Sequence, residues 1–265
     1  MLPDRRRFLR DLAGAGMGWR VSAAQSQPIV CRVTDRDAGR AVPARLRLLD
    51  ARGNALTPLG HPGSLAADAQ EGDVRFQSRR FAYVRGEFLV DPAWLPLKYQ
   101  VLKGYEYSIA EGEITPAGVR EGVFAIPLSR WSSLSAQGWY SGDIHIHHIA
   151  PRTCRLEMEA EDLNVANILT SDFTKDQKEF EGRVNANSGG KHLIYVTQEF
   201  RNNHLGHLCL LNLKSLIEPV TTMQGPDYPL HTGVCDRARA QGGYVSWAHF
   251  PSWPGVESPL DVALH

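Results

Sequence analysis

The sequence predicts a β plus α/β chain: a small N-terminal β-sandwich over residues 28–130, then a partial α/β unit over residues 138–265 built on a largely parallel sheet or barrel. Three observations carry this reading. Short alternating apolar runs recur at roughly ten-residue spacing, with Gly and Pro between them, up to about Pro127. After Trp131 the pattern changes to strand-like apolar runs alternating with helical ones, as βαβ units require. Only 127 residues run from Trp139 to His265, whereas a closed (β/α) barrel takes about 250. The second unit is therefore expected to be partial, and the apolar pattern from Ser258 to His265 has no ending, which predicts a C-terminally incomplete sequence.

Residues 1–27 are read as an export segment rather than as part of the fold. Asp4-Arg5-Arg6-Arg7-Phe8-Leu9-Arg10 is a basic head, Leu12 to Gly18 a weakly apolar middle, and Val21-Ser22-Ala23-Ala24 a small-residue site. Paired arginines before Phe-Leu resemble the bacterial twin-arginine type, so the twin-arginine export machinery is an expected partner and the destination is periplasmic or extracellular. That route carries folded proteins, with a metal already in place where there is one.

In the sandwich, Ile29 to Val33 and Ala44 to Leu49 alternate at period two, with turn chemistry at Asp37-Ala38-Gly39-Arg40 and Asp50-Ala51-Arg52-Gly53-Asn54. Further strands are predicted at 79–84, 87–90, 99–102, 105–110 and 123–128, with a long loop over 56–73. This module shows no catalytic constellation and reads as a structural or docking domain. In the second unit, strands are predicted at 144–149, 165–170, 193–197, 208–213 and 244–248, helices at about 155–163 and 232–241, and a polar segment at 175–187. Gly242-Gly243 stops the second helix.

Composition narrows the function. With 43% hydrophobic and 22% charged residues the chain is globular, and Lys+Arg equals Asp+Glu at 29 each, with no basic stripe. Nucleic acid is not an expected partner; a small-molecule substrate is. No run of 18 apolar residues predicts a membrane span. Cys31, Cys154, Cys209 and Cys235 are scattered without Cys-x-x-Cys and are expected to be free thiols. No Gly-x-Ser-x-Gly elbow is present.

The chemistry concentrates in Gly142-Asp143-Ile144-His145-Ile146-His147-His148. Residues two apart on a strand point the same way, so His145 and His147 can converge on one cation, with Asp143 on the same side. Of ten histidines only His61 precedes this stretch. Two later runs end in metal-type donors: Ile194 to Glu199, followed by His204 and His207, and Tyr244 to His249. Imidazole together with carboxylate suits Zn, Mn or Fe.

The stretches GDIHIHH, TQEFRNNHLGH and GGYVSWAHFPSWPGVESPLDVAL, in that order, resemble the metal-binding motifs of the polymerase and histidinol phosphatase (PHP) superfamily, and within it the carbaryl-hydrolase-like CehA/McbA metallohydrolases. The resemblance covers about Gly138 to the end, and a preceding β-sandwich is similar to that family's architecture. It implies a partial, distorted PHP-type (β/α)7 barrel holding divalent ions. His145 and His147 would bind the first, Glu199 would bridge two, and His207 and His249 would bind the second. In much of the superfamily the second strand ends in Thr-Asp-His. Here Leu169-Thr170-Ser171-Asp172-Phe173 lacks the histidine, so two ions rather than three are expected. The Asp-x-His pair implied near the end of the domain is not among the residues up to His265.

The expected activity is metal-dependent hydrolysis of an ester-type bond, whether phosphoester, carboxylic ester or carbamate, by a metal-activated water. Asp172 and Asp143 are the candidates for moving protons; His148, His204 and His231 are at most supporting groups. The competing expectation is a secreted, non-catalytic binding protein with a structural metal in a degenerate barrel.

Overall fold

The computed structural model of the chain describes residues 27–61, 73–171, 179–202, 206–220 and 229–249. Residues 1–26 of the export segment, Asp172, residues 175–178 of the polar segment, His204 and His265 lie outside them. The described chain is rich in β-structure, with two α-helices.

The first half runs β1 (Ile29–Asp35), β2 (Ala44–Leu49), β3 (Ala55–Leu56), β4 (Val74–Phe76), β5 (Arg79–Val84), β6 (Glu87–Val90), β7 (Leu97–Leu102), β8 (Ala110–Ile114) and β9 (Val123–Leu128). One sheet has the order β6-β1-β9, the other β4-β5-β2-β7-β8 with β3 against β2. Alternation sends Cys31, Val33, Leu46, Leu48, Val101 and Ile126 into one apolar cluster fed by both sheets. The expected strand at 105–110 is not formed; Tyr107 makes only an isolated bridge to Arg130, and the strand begins at Ala110. Tyr107 is held by its side chain instead: its hydroxyl donates to Asp35 at 2.6 Å, and the Arg130 guanidinium lies 4.2 Å from its ring centre.

The second half runs β10 (Gly142–Ile146), α1 (Pro151–Glu161), β11 (Val165–Thr170), β12 (Leu193–Asn202), β13 (Gly206–Leu211), α2 (His231–Arg239) and β14 (Tyr244–Ala248), and its five strands pair in sequence order. The sheet is mixed rather than largely parallel: β10, β11 and β12 are parallel, while β12-β13 and β13-β14 are antiparallel. For β12-β13 the reason is length. β12 continues to Asn202, leaving only residues 203–205 before β13, far fewer than a parallel crossover needs.

Both helices lie on one face. Cys154 and Met158 of α1 pack against Ile168, Ile194 and Val196, and Val234, Cys235 and Ala238 of α2 against Phe200, Leu208 and Leu210. The opposite face carries a thin apolar cluster of Leu169, Cys209 and Ala248. The four cysteines are buried, and none of them is in a disulfide. Among the described residues, no helix is long and apolar enough to cross a membrane.

The outer side of α1 docks on β2 and β5 of the first half. The Tyr83 hydroxyl donates to Glu161 at 2.8 Å, Arg45 pairs with Glu161 at 3.2 Å, and Arg130 pairs with Asp162 at 2.7 Å. Lys103 Nζ donates to the carbonyls of Pro43 and Glu159. Gly104, at φ +55°, lies so close that a Cβ there would run into the Glu161 carbonyl.

Candidate metal centre

β12 is the central strand of its sheet, and Glu199 in its interior is fully buried. The register sets Glu199 opposite Cys209 and Arg201 opposite His207, so these four side chains rise from the face away from the helices. The parallel neighbours bring in His145 and His147. β10 has a register shift between Asp143 and Ile146, a local irregularity of the kind that re-aims side chains. His249 is one residue past β14, where simple alternation from Ala248 would turn it toward the helices. Its left-handed backbone, φ 63°, redirects it, and its ring stacks on His145 at 4.9 Å between centres and 15° between planes.

Glu199 is the hub. Oε1 lies 3.0 Å from His207 Nδ1 and 3.5 Å from His145 Nε2; Oε2 lies 2.9 Å from His147 Nε2 and 3.0 Å from Arg201 Nη1. Burial opposes its ionisation more than any single neighbour favours it. The neighbouring imidazoles of His145, His147 and His207 and the Arg201 charge together prevail, holding the carboxyl far below the usual range. For His249, burial and then the nearby His145 and His207 push the pKa down, which favours the neutral imidazole that metals bind. Burial pushes the Cys209 thiol up to about 12, so it stays protonated.

Among the described residues, two groups of donors could each hold a metal ion: His145, His147 and Glu199, and Glu199, His207 and His249, with the donor atoms of each group within 4.8 Å of one another. The surroundings of His147 support the fit. Its Nδ1 lies 3.0 Å from the Leu169 carbonyl and its Nε2 faces the Glu199 carboxylate. Both neighbours are acceptors, and a neutral imidazole has one N–H to give, so a cation at Nε2 resolves the arrangement.

The five predicted ligands, His145, His147, Glu199, His207 and His249, thus come together. Asp143 does not enter either group: it is exposed, and its Oδ1 accepts from the backbone N–H of His145 at 2.9 Å. Asp172 lies outside the described residues. His148 sits beside His147, with ring centres 5.9 Å apart. His231 is buried against Phe200 and Trp247 near the helices, His192 faces the Leu163 carbonyl, and His61 pairs with Asp73. Arg201 pairs with the buried Glu199. Sequence reasoning missed the Leu169 carbonyl and Cys209, whose Sγ lies 3.7 Å from His145 Nδ1. The two-residue spacing of Cys209 from His207 on one strand is the signal that could have placed it.

No protein-family model, no curated protein and no solved structure matches this chain.

Proposed function

We propose that this chain is a metal-dependent hydrolase of ester-type bonds, of the kind the PHP-like motifs imply, with its five-stranded sheet forming part of a barrel and its first two sheets the preceding sandwich. The observation that carries this reading is Glu199: one fully buried carboxylate common to two donor groups, as a bridging ligand would be. His145 and His147 would hold one ion and His207 and His249 the other, each Zn, Mn or Fe, supplied with neutral nitrogen and one anionic oxygen. Bound divalent ions would supply Lewis acidity, making water nucleophilic near neutral pH and polarising the ester.

The protein's own groups would do the rest. Leu169 fixes the His147 ring, and the Leu169, Cys209 and Ala248 floor keeps water from beneath the donors. Arg201 adds a permanent positive charge beside the reacting centre, where negative charge develops in ester hydrolysis. Asp143 and Asp172 remain the candidates for moving protons. Export through the twin-arginine route belongs to the same reading.

The test is elemental analysis of the purified protein beside His145→Ala and Glu199→Ala, followed by turnover of phosphoesters, carboxylic esters and carbamates. Two ions per wild-type chain, reduced in both variants, and metal-dependent turnover of one ester class are expected. Absence of stoichiometric metal would overturn the assignment, and metal without turnover would leave a binding protein.

A further inference from the structure

The two histidines that approach Glu199 from β10 and the residue just after it have different partners on their other ring nitrogen. At His147 that partner is the Leu169 carbonyl, 3.0 Å from Nδ1. A carbonyl only accepts, so it holds a proton on Nδ1 whatever lies at Nε2. At His145 it is the thiol of Cys209, 3.7 Å from Nδ1. A thiol is both a weak donor and a weak acceptor, and its hydrogen rotates about the C–S bond.

Cys209 has a defined place. It is 1% exposed, directly opposite Glu199 on β12 and Ser246 on β14, with Leu169 and Ala248 packed about it. Its sulfur is thus held against the imidazole by the register of three strands. His145 Nε2 faces Glu199 Oε1 at 3.5 Å, so without an ion that nitrogen is the one suited to carry the proton. A metal at Nε2 requires the opposite tautomer, with the proton on Nδ1.

We propose that Cys209 is the positioning residue of His145 and serves both of its tautomers, donating to Nδ1 while Nε2–H faces Glu199 and accepting from Nδ1–H once Nε2 ligates a metal. This rests on the metal reading above. The ring keeps one proton throughout, moved from Nε2 to Nδ1 through water, and the thiol keeps its own by rotating. His147 is preset for metal by a fixed acceptor, whereas His145 is switched, and the imidazole stays in register through the exchange. Groups hydrogen-bonded to ligating histidines in this way typically change metal affinity about 10- to 100-fold when removed.

The test uses the full chain with Zn²⁺ as the only added ligand. Imidazole ¹⁵N spectra at pH 8 report the His145 tautomer, and competition with a chelating dye reports zinc affinity, for wild type, Cys209→Ser and Cys209→Val, with folding checked by amide spectra. In wild type, His145 is expected to pass from Nε2–H to Nδ1–H on zinc addition. Cys209→Val, of similar volume and without a polar group, should show mixed tautomers in the zinc-free protein and about tenfold weaker zinc binding. Cys209→Ser, which can still donate and accept, should recover most of both. Unchanged tautomer and affinity in Cys209→Val, or a Cys209→Ser variant as impaired as Cys209→Val, would overturn this inference and leave the metal site standing. No zinc uptake by wild type would overturn the metal reading and this inference with it.

Discussion

Arg201 Nη1 lies 3.0 Å from Glu199 Oε2, two residues along the same strand and on the same face. The guanidinium is the permanent counter-charge of a carboxylate that has no exposure to water. Arg201→Gln is therefore expected to lower the stability of the metal-free protein by about 2 kcal/mol, less than for a wholly buried pair because the arginine keeps some exposure. Zinc should return most of that loss, since a dication at Glu199 replaces the missing charge and stabilises by linkage. Urea melts with chelator and with zinc check this. Equal losses in both conditions would show that Arg201 is not the counter-ion of Glu199.

The two donor groups meet only at Glu199. His147→Ala and His249→Ala are each expected to remove one ion per chain and spare the other, and Glu199→Gln to weaken both. Metal titration calorimetry separates these cases. Loss of both ions from either histidine variant would mean one site rather than two.

Glu157 on α1 is half-buried at the docking surface, and desolvation there, with Glu161 and Asp73 nearby, raises its pKa from 4.5 to about 8 despite the opposing Arg45. The folded state therefore keeps a proton that the unfolded chain has released over that interval, so stability falls as pH rises from about 4.5 to 8 and does not recover above it. Glu157→Gln should remove this slope. Allowing for the part of the side chain that water reaches, the gain above pH 8 is about 2 kcal/mol, and chemical denaturation at pH 5 and pH 9 reads it. A gain of equal size at both pH values would contradict the assignment.

Gly104 accepts a left-handed backbone and leaves no room for a Cβ beneath the Glu161 carbonyl. Gly104→Ala combines backbone strain with displacement of α1 and should cost more than about 2 kcal/mol. Differential hydrogen exchange should localise the loosening to α1 and the Tyr83 and Lys103 contacts. Uniform loosening of the first half alone would place the damage elsewhere.

Much of the fold was legible because local pattern and tertiary role agree. Val165–Thr170 and Tyr244–Ala248 are mostly apolar runs of strand length, and both strands form at the expected bounds. Where they conflict, local pattern gives the wrong bounds. β12 was expected to stop at Thr197, because Gln198, Glu199 and Arg201 resemble a strand's end. It continues because those side chains find partners: Gln198 binds the backbone of Ile217 and Val220, and Glu199 its imidazoles. α1 starts four residues early, at Pro151 after Ala150, without a side-chain cap to announce it. The site residues were visible as imidazole and carboxylate near strand ends. The turn of His249 toward His145 was not, since it depends on one backbone angle.

α1 turns one side to the core beneath the site and the other to the sheet of the first half. The consequence is for inheritance: the halves are not freely exchangeable modules. A different N-terminal half grafted onto this one would have to carry Arg45, Tyr83, Lys103, Gly104 and Arg130 with it, or the helix against β11 and β12 would lose its seat. Sequences that retain the histidines should therefore retain those five positions as well, and drift at one set should be matched by drift at the other.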